Sequence, residues 1–527
     1  MNRLQISPCF SITRARKFRW IGTLNIDSRF AITILTCLIT ASPVLASENL
    51  GSAVIQNSSV YRPTELFDVY KVHLGKTVTE QTAATIAEAL QQKYLADGYS
   101  RPGYRISDRG IDSGIVRIQL VEASISSVAI NGNAGPYQEK LEQLVARLPS
   151  DRSLRPQEIK DALRSARRLP GLEVDVAAEP DGGHNGGFVL EVDSAYKPLE
   201  GNVRISNRGT REIDRDVMFA QLVANGLFSH ENASGLFVTS AKDSDNYKGG
   251  GVFTNTALGA HGTSAQLQGA VTSLEYDVQG VQVEQYRERY RIQLMHPLRR
   301  QSVHELSVWA GFEMQNLDLA YNDATYREER LRSVELGSTL NWRNEETQYL
   351  LSIELEQGLN GLGSRIDSLG ASDERLRKDF RIARLRWVRL AALNDLWSWR
   401  LDAYAQTSPH VLPSIKQFKV GGGRIGRGFE AAAISGDRGV GGKMQLQRRL
   451  ASGVTWVERA DLYGFYDAGS AWRHDLGNRE SASSTGVGIS MRDGRLSGYL
   501  EIAKPLTHAD ADGHKDAGLF AEVSFQF

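Results

Sequence analysis

Cysteine is almost missing: the 527 residues hold two, Cys9 and Cys37, both near the N-terminus. Past Cys37 there is no thiol, which excludes thiolate catalysis, a disulfide framework and cysteine-ligated zinc from the bulk of the chain. A charge excess is missing as well. Lys plus Arg and Asp plus Glu both number 62, so there is no basic footprint for a nucleic acid. Beyond residue 46 no stretch approaches the ~20 consecutive apolar residues of a transmembrane helix. Mean hydropathy is -0.33 with 41% hydrophobic residues, values that suit a soluble protein and equally a membrane barrel, whose strands alternate lipid-facing apolar with lumen-facing polar residues. Catalytic signatures are also scarce. There is no GxSxG, and His304-Glu305 runs on into Leu306, Ser307 and Val308 without the second histidine of HExxH. A Ser-His-Asp set assembled in space stays open. The reading is of a non-enzyme with no cofactor and no metal.

What is present begins with Arg3, Arg14, Arg16, Lys17, Arg19 and Arg29, followed by the apolar run Phe30 to Ala41 and then Val44-Leu45-Ala46. Basic, apolar, small is the order of a secretory signal, with cleavage expected after Ala46. A lipoprotein anchored on Cys37 would need a small residue before it, but Thr36 stands there. An exported chain without an apolar helix enters a membrane only as a closed barrel.

From 51 to 122 the pattern reads strand, helix, helix, strand, strand. The first strand is expected over Ala53 to Tyr61. Pro63 opens a helix that ends near Leu74-Gly75, and Thr79 to Ala96 forms a second, with Ile86, Leu90 and Tyr94 along one face. Gly114 to Glu122 alternates with period two and reads as a half-buried strand. The order recurs from 123 to 197: a strand at Ile125 to Ile130, a turn at Asn131-Gly132-Asn133, and a helix around Glu139 to Leu148. A further helix starts at Pro156, and closing strands follow at Val174 to Ala178 and Gly187 to Val192. Tandem βααββ units behind a signal sequence resemble POTRA domains. The resemblance implies α+β docking domains that hold unfolded clients in the periplasm by β-augmentation.

From 198 to 527 helical periodicity gives way to alternating stretches separated by Gly, Asn and Asp, such as Val334 to Trp342, Tyr349 to Gln357, Trp397 to Ala405 and Lys443 to Arg449. About 330 residues at roughly 20 per strand and connection predict a transmembrane β-barrel of about sixteen antiparallel strands. In the last stretch Leu519, Ala521, Val523, Phe525 and Phe527 alternate with Phe520, Glu522, Ser524 and Gln526. A terminal Phe on such a strand, with Phe525 before it, resembles the signal read by the barrel-assembly machinery.

The longest connection, 409–441, far exceeds the usual ~4 to 6 residues and is therefore a candidate functional loop. It contains FKVGGGRIGRGFEAAAISGDRG, Phe418 to Gly439. Gly421, Gly423 and Gly426 satisfy GxGxxG, but no βαβ unit surrounds them, so dinucleotide binding is rejected. Taken whole, Phe418, Gly421-Gly422, Arg427-Gly428-Phe429 and Ser435 to Gly439 resemble the lumen-entering loop of the two-partner secretion transporters of the outer membrane, the haemolysin and haemagglutinin secretion and activation proteins. Its tip is a hydrophobic-Arg-Gly-aromatic tetrad. Gly426 stands where that family has an apolar residue, a departure expected to weaken the tip's packing more than its charge. Phe465-Tyr466-Asp467-Ala468-Gly469, in a strand from Ala460 to Trp472, resembles the family's Phe-x-Asp-x-Gly strand, with Phe465, Asp467 and Gly469 as its motif positions. Gln357-Gly358-Leu359 and Ala503 to Leu506 add to the likeness.

That resemblance implies that Arg427 pairs with Asp467 inside the pore, since a guanidinium held there needs a carboxylate partner. It implies a chain that secretes one dedicated exoprotein, received extended and unfolded. The barrel-assembly machinery and outer-membrane lipid would be its other partners, with no nucleic acid among them. Many members begin with a helix that plugs the pore. Here only a few residues separate Ala46 from the first domain, so no plug helix is expected and the long loop must limit the leak. Two alternatives remain open: an outer-membrane assembly factor of the same superfamily, which would share the motifs, and a solute porin, which would need no docking domains.

Overall fold

The computed structural model describes residues 49–107, 113–150, 152–181, 186–211, 213–229, 231–242, 245–259, 261–300, 303–344, 346–369, 375–450, 457–507 and 515–527. The expected signal, its cleavage at Ala46 and the expected lack of a plug helix ahead of the first domain lie outside them.

In the first α+β unit the strands Ser52–Gln56, Ile115–Val121 and Gly103–Ser107 form a sheet with Ile115–Val121 in the middle, parallel to the first and antiparallel to the third. Two helices accompany it, Pro63–Tyr70 and Glu80–Ala96. Proline at the first helical position presets the φ that the Pro63–Tyr70 helix needs, and its missing N–H would have had no partner there anyway. Ala83, Ile86, Ala87 and Leu90 have no exposed surface, as the four-residue spacing requires of an inward face. The opening strand is shorter than expected and stops at Gln56, because the next residue, Asn57, takes a left-handed φ of 62°.

The second unit repeats the plan with strands Ser124–Asn133, Leu172–Pro180 and Gly187–Tyr196 and helices Gln138–Val145 and Pro156–Ala166. Its core gathers Tyr137, Leu141, Leu154, Leu172, Leu190 and Val192. The expected turn at Asn131-Gly132-Asn133 is strand instead: the three pair in parallel with Asp193, Ser194 and Ala195. Ser194 Oγ donates to the Asn131 carbonyl at 2.9 Å. Turn-forming residue types were overridden there by a central strand with a ladder to offer.

Sixteen antiparallel strands follow, each paired with its neighbours in sequence, from Leu199–Ser206 to Gly518–Gln526, and these two pair to close the ring. A further short strand, Arg365–Ser368, pairs with Arg327 to Arg330 of the long strand Ala324–Arg343, beyond the reach of Thr347–Gly358. Closure leaves no unpaired edge, the condition for a sheet in hydrocarbon. The alternation is plain in exposure. Along Arg459–Trp472, Leu462 and Tyr466 are about half exposed at 48% and 50%, while Tyr463, Phe465 and Asp467 between and beside them are buried. Strands of 20 residues, Val281–Arg300 and Ala324–Arg343, exceed the ~9 to 11 that cross a bilayer.

Candidate functional site

The connection between the strands Trp397–Thr407 and Arg438–Arg449 turns inward and fills part of the lumen. Its barrel strand resumes at Arg438, so the last four positions of the expected 409–441 loop belong to the wall, drawn there by pairing of Arg438 to Gly441 with Gly469 to Trp472. Inside the loop, Phe418–Val420 pairs with Ile434–Gly436 as a small hairpin. Asp437 fastens the base. Its buried carboxylate accepts the Leu412 amide on one oxygen and the His474 amide on the other, both at 2.7 Å.

The expected site residues Gly426, Arg427, Gly428 and Phe429 form the tip. The strand's period of two puts Phe465, Asp467 and Gly469 on the lumenal face beside it. Asp467, with no exposed surface, accepts the backbone amides of Gly426 at 3.1 Å and Arg427 at 2.8 Å, and Arg427 Nε lies 3.3 Å from its Oδ2. The Arg427 guanidinium also sits 3.4 Å from the centre of the Phe465 ring. Its Nη1 reaches Glu501 Oε2 and Gln445 Oε1, each at 3.1 Å. One cation thus has two carboxylates and an aromatic face, an arrangement that suits a planar guanidinium and not an ammonium. The Gly428 amide donates to Ser484 Oγ at 3.2 Å, and a Cβ at Gly428 would meet Pro505 N at 2.9 Å, so the tip touches the wall backbone.

Gly426 is at φ +81°, a left-handed turn that exposes two successive amides to Asp467. The apolar contact expected to be weak at this position is made by the residue before it: Ile425 is fully buried with Phe418, Val420, Phe429, Ile434 and Ala471. Gly469 makes room for that cluster, since a Cβ there would lie 2.8 Å from Val420 Cγ2.

Several residues of the network carry no local signal in the sequence. Arg208, just past the first barrel strand, gives its Nη1 to the Arg427 carbonyl at 3.2 Å and its Nε to Tyr499 Oη at 2.8 Å, and it pairs with Glu501. Tyr463 Oη donates to the same glutamate at 3.0 Å. On another arc of the wall the buried Lys416, earlier in the loop, bridges Glu313 Oε1 at 2.7 Å and Glu356 Oε1. Glu313, Glu335 and Glu356 lie close enough together to suggest a cation site, but Lys416, Arg289, Arg291 and Arg384 already pair with them. The cluster is an ion-pair network holding the loop.

Comparison with known proteins places this geometry. The family model described as haemolysin secretion/activation protein ShlB/FhaC/HecB matches residues 189–492. The chain belongs to this family. The outer membrane transporter CdiB of Escherichia coli is 22% identical over 460 residues, which is 82% of this chain and 74% of the relative. The CdiB of Dickeya dadantii is 20% identical over 438 residues, covering 79% and 75%. Among solved structures, CdiB from Escherichia coli superposes with a TM-score of 0.65 at 18% identity, over 93% of each chain. BamA from Haemophilus ducreyi lacking POTRA domains 1-3 gives 0.52 at 12% identity, over 91% of this chain and 100% of that one. These likenesses extend the shared fold to the α+β units. The ShlB/FhaC/HecB member described here is an outer-membrane transporter of two-partner secretion, with its POTRA domains in the periplasm and an exoprotein as client.

Within that frame the closing strand, the last of sixteen, ends on the periplasmic side. Its lipid-facing row Leu519, Val523, Phe525 and Phe527 is about half exposed, from 44% to 56%. Phe525 and Phe527 stack with ring centres 6.1 Å apart.

Proposed function

We propose that the units 51–122 and 123–197 are the client-docking domains and that the loop closing on Asp467 is the gate through which the extended exoprotein passes. The observation that carries the gate is the tip of one loop bound to the inner wall of the barrel through Arg427, Asp467 and Glu501. Such a loop occupies the path while bound and is released as a unit, because breaking a buried pair of this kind costs about 3 to 5 kcal/mol and is opposed at every contact together. No nucleotide-binding motif stands in the chain, so forward movement is assigned to folding of the client outside the cell. The client arrives unfolded and is taken up along the sheet edges of the docking domains. The barrel is inserted by the assembly machinery, with Phe525 and Phe527 as its signal, after removal of the leader at Ala46.

The test is deletion of this protein in its host, with the culture medium and cell surface analysed by mass spectrometry. Loss of one large exoprotein, with other outer-membrane barrels unchanged, is expected. Unchanged export with depleted unrelated barrels would replace this reading by the assembly-factor alternative.

A further inference from the structure

A second constellation lies outside the lumen. On the lipid-facing side, at the periplasmic ends of consecutive strands, aromatic and cationic side chains form a ladder across the sheet. His304 stacks on Trp342 with ring centres 5.6 Å apart, and Trp342 on Tyr349 at 4.9 Å. The Arg389 guanidinium lies 5.3 Å from the Tyr349 ring centre and 4.8 Å from that of Trp399. Arg448 lies 5.6 Å from the Trp397 ring centre on the last strand of the series. The contacts follow the register: His304 is opposite Trp342, Trp342 opposite Tyr349, Tyr349 opposite Arg389, and Trp397 opposite Arg448.

Their facing is fixed by alternation. Leu385 shares a face with Arg389, Leu446 and Met444 share one with Arg448, and all three are exposed, whereas Val388 and Asp402, of opposite parity, are buried toward the lumen. Depth follows from position, because Arg389 is near the end of Arg381–Ala392, Trp397 begins its strand and Arg448 is next to last in its own. That is headgroup level in the periplasmic leaflet.

These arginines differ from the lumenal ones that hold the glutamates around the loop. Lumenal Arg384, Arg289 and Arg291 each face a glutamate. Among the described residues no carboxylate pairs with Arg389 or Arg448, and Arg389 Nε is buried without a hydrogen-bond partner. A cation on the lipid side, held over rings and without a carboxylate, is incomplete without an anion. At this depth the anion available is a lipid phosphate, whose oxygens take a guanidinium's forked donors while the acyl chains lie on the rings.

We propose that the ladder from His304 to Arg448 is a binding site for an anionic phospholipid of the periplasmic leaflet, with Arg389 and Arg448 holding the headgroup phosphate. Basic residues at a leaflet surface attract acidic lipid with about 1 kcal/mol each, or roughly fivefold in affinity per arginine.

The full chain, stripped of lipid in a neutral detergent, is titrated with phosphatidylglycerol carrying brominated acyl chains, and tryptophan quenching and melting temperature are read. Saturable quenching and a raised melting temperature are expected, with affinity lowered about tenfold or more in R389Q/R448Q and unchanged in R386Q, whose side chain faces the lumen. Three results would each overturn the site: equal affinity for phosphatidylcholine, displacement of the lipid by millimolar inorganic phosphate, or unaltered binding in R389Q/R448Q. Should that double variant fail to insert, absence of saturable quenching in the unaltered protein overturns it as well.

Discussion

Lys416 Nζ stands 2.7 Å from Glu313 Oε1 inside the barrel, with both side chains buried. The loop is thereby fixed at two arcs of the wall, here through an ammonium and at its tip through the Arg427 guanidinium. Replacing Lys416 by Met keeps the volume but removes the charge and leaves Glu313 and Glu356 facing one another with Arg289 and Arg384 as their remaining partners. Loss of one member of a buried pair costs about 3 to 5 kcal/mol. K416M is expected to raise open-state occupancy in planar-bilayer recordings and to admit large antibiotics to cells. A pore as quiet as that of the parent would show that the tip alone holds the loop.

Arg427→Ala is expected to abolish or strongly reduce export while the barrel still inserts, judged by heat-modifiable migration in gels. Arg427→Lys should rescue poorly. A lysine reaches one carboxylate but loses both the second and the flat contact with Phe465, which lies 3.4 Å below the guanidinium. Because Asp467 also accepts two loop amides, Asp467→Asn should be milder than Asp467→Leu. The double variant R427A/D467L should be no worse than the harsher single one, as expected of residues acting in one network.

The outline was readable in the sequence because a barrel writes its period into every strand. Leu519 to Phe527 states which face meets lipid, and Phe465-x-Asp467-x-Gly469 states which meets the lumen. The loop was visible by length and by its arginine. What stayed hidden depends on register between strands far apart in the chain. Nothing around Glu501, Arg208 or Lys416 distinguishes it from any other charge on a barrel strand or loop, and only closure of the ring brings Arg208 to Arg427. Ile425 was concealed differently. The apolar partner was sought at Gly426, but a left-handed turn moves the packing residue back by one.

Ile425 supplies the next prediction. It is wholly buried in one of the apolar clusters on the inner side of the wall. Ile425→Ala removes apolar volume that its neighbours on the wall are too constrained to refill, at a cost of about 2 to 5 kcal/mol to loop attachment. Hydrogen exchange of the amides from Phe418 to Gly436 should quicken in I425A, while exchange in the barrel strands away from the loop stays slow. Uniform quickening would mean that the loop supports the whole barrel and is not a separable element.

The joint between the second docking domain and the barrel rim sets two kinds of contact against each other. Arg168 reaches Glu305 at 2.7 Å, with both side chains about a third exposed. Tyr196 Oη donates to the carbonyl of Asn225 at 2.7 Å, and the Asn225 side chain, buried, donates to the Lys197 carbonyl at 2.9 Å. A partly exposed ion pair is screened by water and salt and contributes about 0 to 1 kcal/mol. Asn225→Ala instead leaves the part-buried Lys197 carbonyl without its side-chain donor, at about 1 to 3 kcal/mol. The hydrogen bonds should therefore govern the joint. R168E is expected to leave spin-label distances between the domain and the barrel narrow, while N225A broadens them and slows export with the client still bound. If R168E broadened them instead and the charge-reversed R168E/E305R restored them, the rim ion pair would be the main restraint on the joint and the hydrogen bonds would be secondary.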